Sequence, residues 1–133
     1  MADTYTPMVR ALVVASLFLA TATLMLVTVN AARAAGALAI GACGAFGEAF
    51  DYRSANEASQ SALSKCHGES CRVVTTAKRG CAAFAVDFVN PCGAHGWGKG
   101  PRLGGSQNAA LEACYRDGGK ECVIRTFFCD AKG

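Results

Sequence analysis

Cysteine is the residue type in this chain with the widest chemistry, because it can form disulfides, bind metals or act as a nucleophile. The 133 residues contain eight cysteines. Such a density in a short chain is typical of a disulfide scaffold in an oxidising compartment. An even number also allows every thiol to pair, which leaves none as a nucleophile. We therefore expect disulfides and no catalytic cysteine.

Metal binding is the alternative use of these cysteines. Cys66, His67 and Cys71 offer soft ligands at nearly usable spacing, but a structural zinc site needs four ligands. In the second half of the chain, Cys114 has no histidine beside it, and His95 lies in a glycine-rich segment. Disulfides are therefore favoured, and we predict neither a metal site nor a cofactor.

The remaining polar residues form no recognisable catalytic set. Neither His67 nor His95 has a serine or cysteine arranged around it by sequence, and the carboxylates are scattered. Residues 93–100 read GAHGWGKG, but no serine or threonine follows the lysine, as a phosphate-binding loop requires. We expect a protein that is not an enzyme. A small hydrolase that uses His95 with an adjacent Asp or Glu is a less favoured alternative.

The N-terminal segment indicates export. Residues 11–29 are an uncharged apolar run after Arg10, and residues 32–34 read ARA, with small residues where a signal peptidase cleaves. We predict a signal peptide over residues 1–34 and a single exported domain over 35–133. The apolar run is also long enough to span a bilayer, so an uncleaved signal anchor is the alternative. Either organisation makes the domain secreted or periplasmic, with membrane contact only through this segment.

Charge and composition exclude two classes of protein. Thirteen cations against ten anions give a net charge of +3, which is too small a surplus to indicate nucleic-acid binding. With 17% charged and 52% hydrophobic residues, the chain is not predominantly disordered. A domain of about 100 residues buries only about 60–65% of its unfolded surface, so disulfides must supplement its core.

The exported part contains an internal repeat. GAFG at residues 44–47 recurs as GAHG at 93–96, each directly after a cysteine. SALSKC at residues 61–66 recurs as AALEAC at 109–114. Two motifs that recur in the same order indicate that one structural unit occurs twice in the chain.

Each half, about residues 36–80 and 81–133, has the same predicted order: strand, strand, helix, strand. Short apolar runs bounded by glycine or Asn-Pro indicate buried strands. Bulky and small residues alternate with a period of two after these runs, which indicates a second strand. SANE at residues 54–57 is a capping box that begins the first helix. Two glycines discourage an early start of the second helix, so we expect Ser106 as its cap. The sequence predicts an α+β domain: a mostly antiparallel sheet with two short helices on one side, stapled by disulfides.

Five short motifs, four of them rich in glycine and alanine, follow one another in a distinctive order. They are GALAI at residues 36–40, GAFG at 44–47, CRVV at 71–74, CAAFAV at 81–86 and GWG at 96–98. This order resembles the bacterial exported family called domain of unknown function 4189, over nearly the whole chain after the signal segment. The resemblance implies export and a small cysteine-containing domain with a duplicated unit, and it implies no established catalytic residues.

The repeat narrows the possible disulfide pairings. Four and seven residues separate the cysteine that ends each helix from the next cysteine, which predicts local disulfides. The predicted pairs are Cys66–Cys71 and Cys114–Cys122, with Cys43–Cys81 and Cys92–Cys129 joining strands within each half. The alternative joins the halves through Cys43–Cys92 and Cys81–Cys129.

Bulky side chains on the second strand of each half are the predicted contact site. If the small residues of these strands face the helices, six bulky residues share the opposite face. They are Phe46, Phe50, Tyr52, His95, Trp97 and Lys99. We expect this face to bind an unidentified protein or envelope component, unless a second layer covers it. An inhibitor or immunity-type protein against a secreted hydrolase is the second hypothesis, and it predicts a protruding loop at residues 88–93 or 99–106.

Overall fold

The computed structural model describes residues 11–16, which are helical, and residues 34–130. The chain divides into two compact units, Met1–Ala32 and Arg33–Gly133, and the fold described below belongs to the second. In the described residues, no helix combines the length and apolar character needed to cross a membrane. Most of the segment predicted as a signal peptide, residues 1–34, lies outside the described residues, so its cleavage stays a prediction.

The predicted order of elements occurs twice along the second unit. The first half consists of strand β1 (Ala35–Ile40), strand β2 (Phe46–Tyr52), helix α1 (Ala55–Lys65) and strand β3 (Arg72–Ala77). The second half consists of strand β4 (Cys81–Asp87), strand β5 (His95–Gly100), helix α2 (Leu103–Arg116) and strand β6 (Cys122–Cys129). A short 3-10 helix at Ala42–Gly44 lies between β1 and β2.

The six strands are divided between two antiparallel sheets. Their strand orders are β2-β1-β3 and β5-β4-β6, so the first strand of each half is the central strand of its sheet. The predicted α+β class, antiparallel pairing and duplicated unit are confirmed. The sequence had suggested one sheet, whereas each half builds its own sheet and covers one side of it with its own helix.

The two sheets pack face to face, and the helices lie outside them. The core between the sheets contains large side chains from both central strands and β6: Leu38, Ile40, Phe84, Val86 and Phe128. Small residues on the opposite face of each central strand pack against the helices: Ala37 and Ala39 in the first half, and Ala83 and Ala85 in the second. The layers are therefore α1, first sheet, second sheet and α2. Burial of β1 and β4 on both faces explains their uninterrupted apolar sequences.

Both helices approach the second strand of their half very closely, as predicted. A Cβ atom at Gly98 would lie only 2.7 Å from the backbone nitrogen of Ala110. A Cβ atom at Gly47 or Gly96 would overlap backbone atoms of α1 or α2. Glycine is needed at these positions because no side chain fits between strand and helix.

The two helices begin differently. Helix α1 begins as predicted, because the Ser54 hydroxyl accepts a hydrogen bond of 3.2 Å from the backbone N–H of Glu57. Helix α2 begins at Leu103, so the prediction of Ser106 as its cap is wrong. Ser106 is buried within the first turns, where its carbonyl lies against Gly98. Packing on β5 thus outweighs the low helix propensity of the two glycines before Ser106.

Two local disulfides are confirmed. Cys66 is bonded to Cys71 and Cys114 to Cys122, and the paired Cα atoms are 6.1 Å apart in both cases. Each disulfide links the C-terminal end of a helix to the segment that leads into the next strand. The repeat therefore extends to this covalent connection.

The other two disulfides follow the alternative scheme. Cys43 is bonded to Cys92, and Cys81 to Cys129, so the predicted pairs Cys43–Cys81 and Cys92–Cys129 are wrong. Cys81 and Cys129 are direct partners in the register of β4 and β6. Cys43 and Cys92 occupy equivalent positions after the central strands of the two sheets, and their disulfide joins the halves. The prediction failed because it did not anticipate that Cys43 and Cys92, which follow the central strands of two separate sheets, lie together.

Candidate functional site

The six residues predicted to share one contact face are divided between opposite edges of the two-sheet structure. Strand β2 lies beside β6, since the guanidinium of Arg125 is 5.9 Å from the centre of the Phe46 ring. Strand β5 lies beside β3, since the Lys99 ammonium donates a hydrogen bond of 3.3 Å to the carbonyl of Thr76. Face-to-face packing of two equivalent sheets therefore separates β2 from β5, and the single predicted face is wrong.

The three predicted residues of β2 do not form a site of their own. Phe46 is half-buried against the core between the sheets, and Phe50 remains 47% exposed. Tyr52 lies on the other face, where its hydroxyl shares a hydrogen bond of 2.7 Å with the hydroxyl of Ser61 in α1. Asp51 has a φ of 63°, and this irregularity interrupts the alternation that placed Tyr52 beside Phe50. Tyr52 is therefore corrected to a helix-packing residue.

His95 and Trp97 of β5 line a surface cleft together with the C-terminal end of α2. This β5–α2 cleft has a volume of about 500 Å³ and is lined by His95, Gly96, Trp97, Ala113, Arg116 and Asp117. The Trp97 side chain is 40% exposed. Arg116 and Asp117 were missed by the sequence analysis, because only the packing of α2 on β5 brings them to the cleft that Trp97 lines.

Asp117 fixes the position of His95 in this cleft. Its carboxylate accepts a hydrogen bond of 3.0 Å from the backbone N–H of His95 and lies 3.7 Å from the Nδ1 atom of the ring. The same ring meets Phe84 edge to face, with 6.3 Å between the ring centres. The imidazole is thus held in place although it is exposed to solvent. His95 and Trp97 pair with Val86 and Phe84 of β4, so their side chains share the face of β5 turned away from α2, and Arg116 lines the same cleft from the end of the helix.

A histidine beside a carboxylate is also part of a general-base arrangement. Among the described residues that line the cleft, none is a serine, threonine or cysteine that could act as a nucleophile. The geometry therefore provides a positioned base without a partner for nucleophilic catalysis.

Lys99 belongs to a different part of the surface. It lines a cleft of about 310 Å³ with Lys78 and Arg79 of the β3–β4 turn, away from the cleft that contains Trp97. Of the six predicted contact residues, only His95 and Trp97 therefore lie together in one cleft.

The connection between β4 and β5, residues 88–94, exposes two large apolar side chains. Phe88 is 68% exposed and Val89 is 70% exposed. The backbone turns sharply after them, with a hydrogen bond of 2.8 Å from the N–H of Gly93 to the carbonyl of Asn90. The connection includes residues 88–93, one of the two positions where the sequence predicted a contact loop.

Hydrogen bonds to Asp87 brace the start of this loop. The Asp87 carboxylate accepts hydrogen bonds from the backbone N–H groups of Lys120, at 3.2 Å, and Val89, at 3.1 Å. These donors, led by Lys120, hold the pKa of Asp87 below its ordinary value of 3.8, although burial of the carboxyl opposes the shift. The N–H of Phe88 also donates a 2.8 Å hydrogen bond to the carbonyl of Glu121. The exposed side chains therefore stand on a fixed backbone.

The second predicted loop, residues 99–106, does not protrude. Strand β5 continues to Gly100 and α2 begins at Leu103, so only two residues connect them. The two glycines that were expected to delay the start of α2 lie within its first turn.

The cysteines considered as metal ligands are used otherwise. Cys66 and Cys71 form a disulfide, so neither provides a thiolate to a metal. Across residues 11–16 and 34–130, no group of three or more His, Cys, Asp or Glu side chains is arranged to hold a metal ion.

These observations define a class of protein: a small, disulfide-stapled α+β domain with a duplicated strand–strand–helix–strand unit. The chain belongs to the family described as Domain of unknown function (DUF4189), whose family model matches residues 35–129. The family that the motifs indicated is thereby confirmed. No curated protein and no solved structure matches the chain.

Proposed function

We propose that this protein is a non-enzymatic binding module, secreted or periplasmic, and that the β5–α2 cleft is its contact site. The observation that carries the proposal is that Trp97 is 40% exposed and lines a cleft that Arg116 also lines. Tryptophan and arginine are the residue types most enriched among those that dominate binding energies. An exposed indole on a fixed strand also binds without a large loss of conformational entropy.

The composition of the cleft indicates the chemistry of its partner. Trp97 contributes an exposed aromatic residue, His95 an exposed imidazole, and Arg116 a positive charge among the residues that line the cleft. Asp117 is occupied by its hydrogen bond to the backbone of His95. We therefore expect a protein or envelope component that presents an apolar or ring-shaped group next to an anionic group.

Export is supported by the disulfides. Four disulfides in a domain of this size form and persist in an oxidising compartment. Mass spectrometry of the exported protein, before and after reduction, tests the processing and the disulfides together. We expect a chain that begins at Ala35 and gains eight hydrogens on reduction. A full-length chain would favour the signal anchor, and free thiols in the unreduced sample would contradict the export proposal.

Trp97 provides a direct test of the contact site, because it is the only tryptophan of the chain. Addition of the native partner should shift its fluorescence emission. Arg116→Ala should weaken that response about tenfold or more. Tyr115→Ala is the matched control, since Tyr115 is exposed on the same helix but does not line the cleft. Equal effects of the two variants would contradict the proposal.

An inhibitor of a secreted hydrolase is the second candidate function, and the loop at residues 88–94 favours it. The exposed Phe88 and Val89 stand on a backbone held by Asp87 and by the disulfide at Cys92. Such a braced apolar loop fits the active site of an enzyme without large rearrangement. Inhibition assays against secreted proteases and muramidases test this candidate. Inhibition that Phe88→Ala abolishes and Trp97→Ala leaves unchanged would favour the inhibitor over the proposed cleft.

A hydrolytic activity of His95 is less well supported, because the described lining of the cleft provides no hydroxyl or thiol nucleophile. His95→Gln is the relevant variant. We expect the wild-type protein to show no substrate turnover. We expect His95→Gln to change only the affinity for the partner. Turnover in the wild-type protein that His95→Gln abolishes would contradict the non-enzymatic proposal.

A further inference from the structure

The disulfide that joins the two halves is more accessible than the other three. Cys43 and Cys92 are both exposed. Each of the other three disulfides has at least one buried cysteine: Cys66, Cys81, and both Cys114 and Cys122. Accessibility matters because a thiolate must reach one sulfur along the axis of the bond that it breaks.

Cys43 also lines a second surface cleft, with a volume of about 540 Å³. The cleft contains the charged or titratable side chains of His67, Glu69 and Arg125, and its wall includes the turn around Gly44. This volume admits a small thiol or the side chain of a protein cysteine. The Arg125 guanidinium places a permanent positive charge in the cleft where a thiolate would enter.

Backbone atoms cover the sulfurs of the two local disulfides. A Cβ atom at Gly41 would lie 2.8 Å from the sulfur of Cys71, and one at Gly119 would lie 3.0 Å from the sulfur of Cys114. Even a methyl group does not fit over these sulfurs. These glycines cover part of the surface of each sulfur, and the cysteine bonded to it, Cys66 or Cys122, is buried, so both local disulfides are less accessible to a thiolate than Cys43–Cys92.

Cys81–Cys129 is the strongest competitor, because Cys129 is exposed. Attack on the sulfur of Cys129 would release Cys81 as a thiolate, and Cys81 is only 5% exposed. Burial in apolar surroundings disfavours a thiolate and makes it a poor leaving group. Direct pairing of the two residues in the β4–β6 ladder also holds the sulfurs together for reclosure.

The backbone at Cys43 favours opening of its disulfide. Cys43 has φ and ψ angles of 55° and 37°, in the left-handed region that residues other than glycine rarely occupy. Once the disulfide is broken, this turn is free to relax toward a commoner conformation.

We propose that Cys43–Cys92 is a site of thiol–disulfide exchange with an external thiol, such as glutathione or a cysteine of a partner protein. The external thiolate attacks one sulfur of the pair, the Cys43–Cys92 bond breaks, and the other cysteine leaves as a thiolate that takes a proton from water. A mixed disulfide remains. A second external thiol then resolves it, so two thiols are oxidised to one disulfide while Cys43 and Cys92 are reduced.

Exchange at this site would act on the loop between β4 and β5. Cys92 lies in that loop, three residues after Val89, and its disulfide ties the loop to the turn at Ala42–Gly44. Opening it releases one of the tethers of the loop while the other three disulfides maintain the fold. This consequence does not depend on which partner the β5–α2 cleft binds.

Stepwise reduction of the folded, fully oxidised protein tests the proposal. The protein is incubated with glutathione under native conditions, quenched with iodoacetamide at intervals and mapped by mass spectrometry. We expect Cys43 and Cys92 to be alkylated, or found as glutathione adducts, about tenfold faster than any other cysteine. Circular dichroism should stay unchanged during this phase, because three disulfides remain.

Two variants make the result decisive. Cys43→Ser/Cys92→Ser should fold and lose the fast phase, whereas Cys81→Ser/Cys129→Ser should keep it. Earlier labelling of Cys81 and Cys129 in the wild-type protein would overturn the proposal. Simultaneous labelling of all eight cysteines with loss of the circular dichroism signal would also overturn it, because it would show reduction through global unfolding.

Discussion

The two halves of the domain share one topology but are stabilised differently. The first half has the capped helix α1, and Ala35 stands at the β1 position that Cys81 occupies in β4. The second half has the additional disulfide Cys81–Cys129, and within the described chain its helix α2 has no side-chain cap. Both halves keep small residues where a helix meets a strand. Both halves therefore require close packing of a helix on a strand, whereas the helix caps and the disulfides differ between the halves.

The halves also differ in what they expose. The connection between β1 and β2 spans residues 41–45, whereas that between β4 and β5 spans residues 88–94 and carries the exposed Phe88 and Val89. The cleft around Trp97 also lies in the second half. The additional disulfide therefore stabilises the half that contains both candidate contact sites.

Substitution of the helix-facing glycines should produce the largest effects and should do so in both halves. Gly47→Val and Gly96→Val each place a side chain against the backbone of a helix. We expect each to lower the free energy of unfolding by more than about 4 kcal/mol, because the added side chain overlaps helix backbone. Chemical denaturation measures the loss. Gly104→Ala is the control, since a Cβ there meets no atom of the described residues within 4 Å, and it should be neutral or slightly stabilising. Tolerance of valine in only one half would contradict the shared requirement.

Removal of disulfides should come next and should separate the halves. Cys81 and Cys129 are 48 residues apart, whereas Cys66 and Cys71 are only five apart. Loop-closure entropy predicts a loss of about 4 kcal/mol for Cys81→Ala/Cys129→Ala, against about 2 kcal/mol for Cys66→Ala/Cys71→Ala. Denaturation of the two double variants under the same conditions gives the comparison. A larger loss from the short disulfide would contradict this ranking.

Exchange of the helix caps should have smaller effects of opposite sign. Ser54→Ala removes the hydrogen bond to the N–H of Glu57 and should cost about 1 kcal/mol. Arg102→Ser introduces a capping hydroxyl at the start of α2 and should stabilise the protein by about 0.5–1 kcal/mol. Thermal denaturation shows both shifts. If Arg102→Ser destabilises the protein, the missing side-chain cap does not limit the stability of the N-terminal end of α2.

Protonation of Asp87 should produce the smallest effect, confined to acidic pH. The pKa of Asp87 is lowered in the folded state, so its hydrogen bonds stabilise the domain above its ordinary pKa of 3.8. That contribution is lost as the pH falls below 3.8 through the folded-state value. The difference in stability between the wild type and Asp87→Asn should therefore shrink from pH 6 to pH 3. A difference that grows toward low pH would contradict the assigned sign.

Much of the unit could be predicted from the sequence, because its determinants are local. SANE at residues 54–57 determines where α1 begins, and the spacing from Cys66 to Cys71 determines a local disulfide. Ser106 shows the limit of such reasoning, since contact with Gly98 extends α2 through two glycines.

The arrangement of the halves could not be predicted, because it depends on contacts between distant residues. Nothing in the local sequence shows that the strands separate into two sheets, and this separation places Phe46 and Trp97 at opposite edges. The same packing selects the pairing of Cys43 with Cys92. The approach of Arg116 to Trp97 likewise appears only when α2 lies on β5.

Photo-crosslinking in the native compartment tests the central claim most directly, by comparing Trp97 with Phe50, an exposed aromatic residue of the first half. A photoreactive amino acid is placed at one position or the other in otherwise wild-type protein. The account predicts a discrete adduct from position 97 that Arg116→Ala reduces, and no such adduct from position 50. The same adduct from position 50, or none from position 97, would contradict binding through the cleft of the second half.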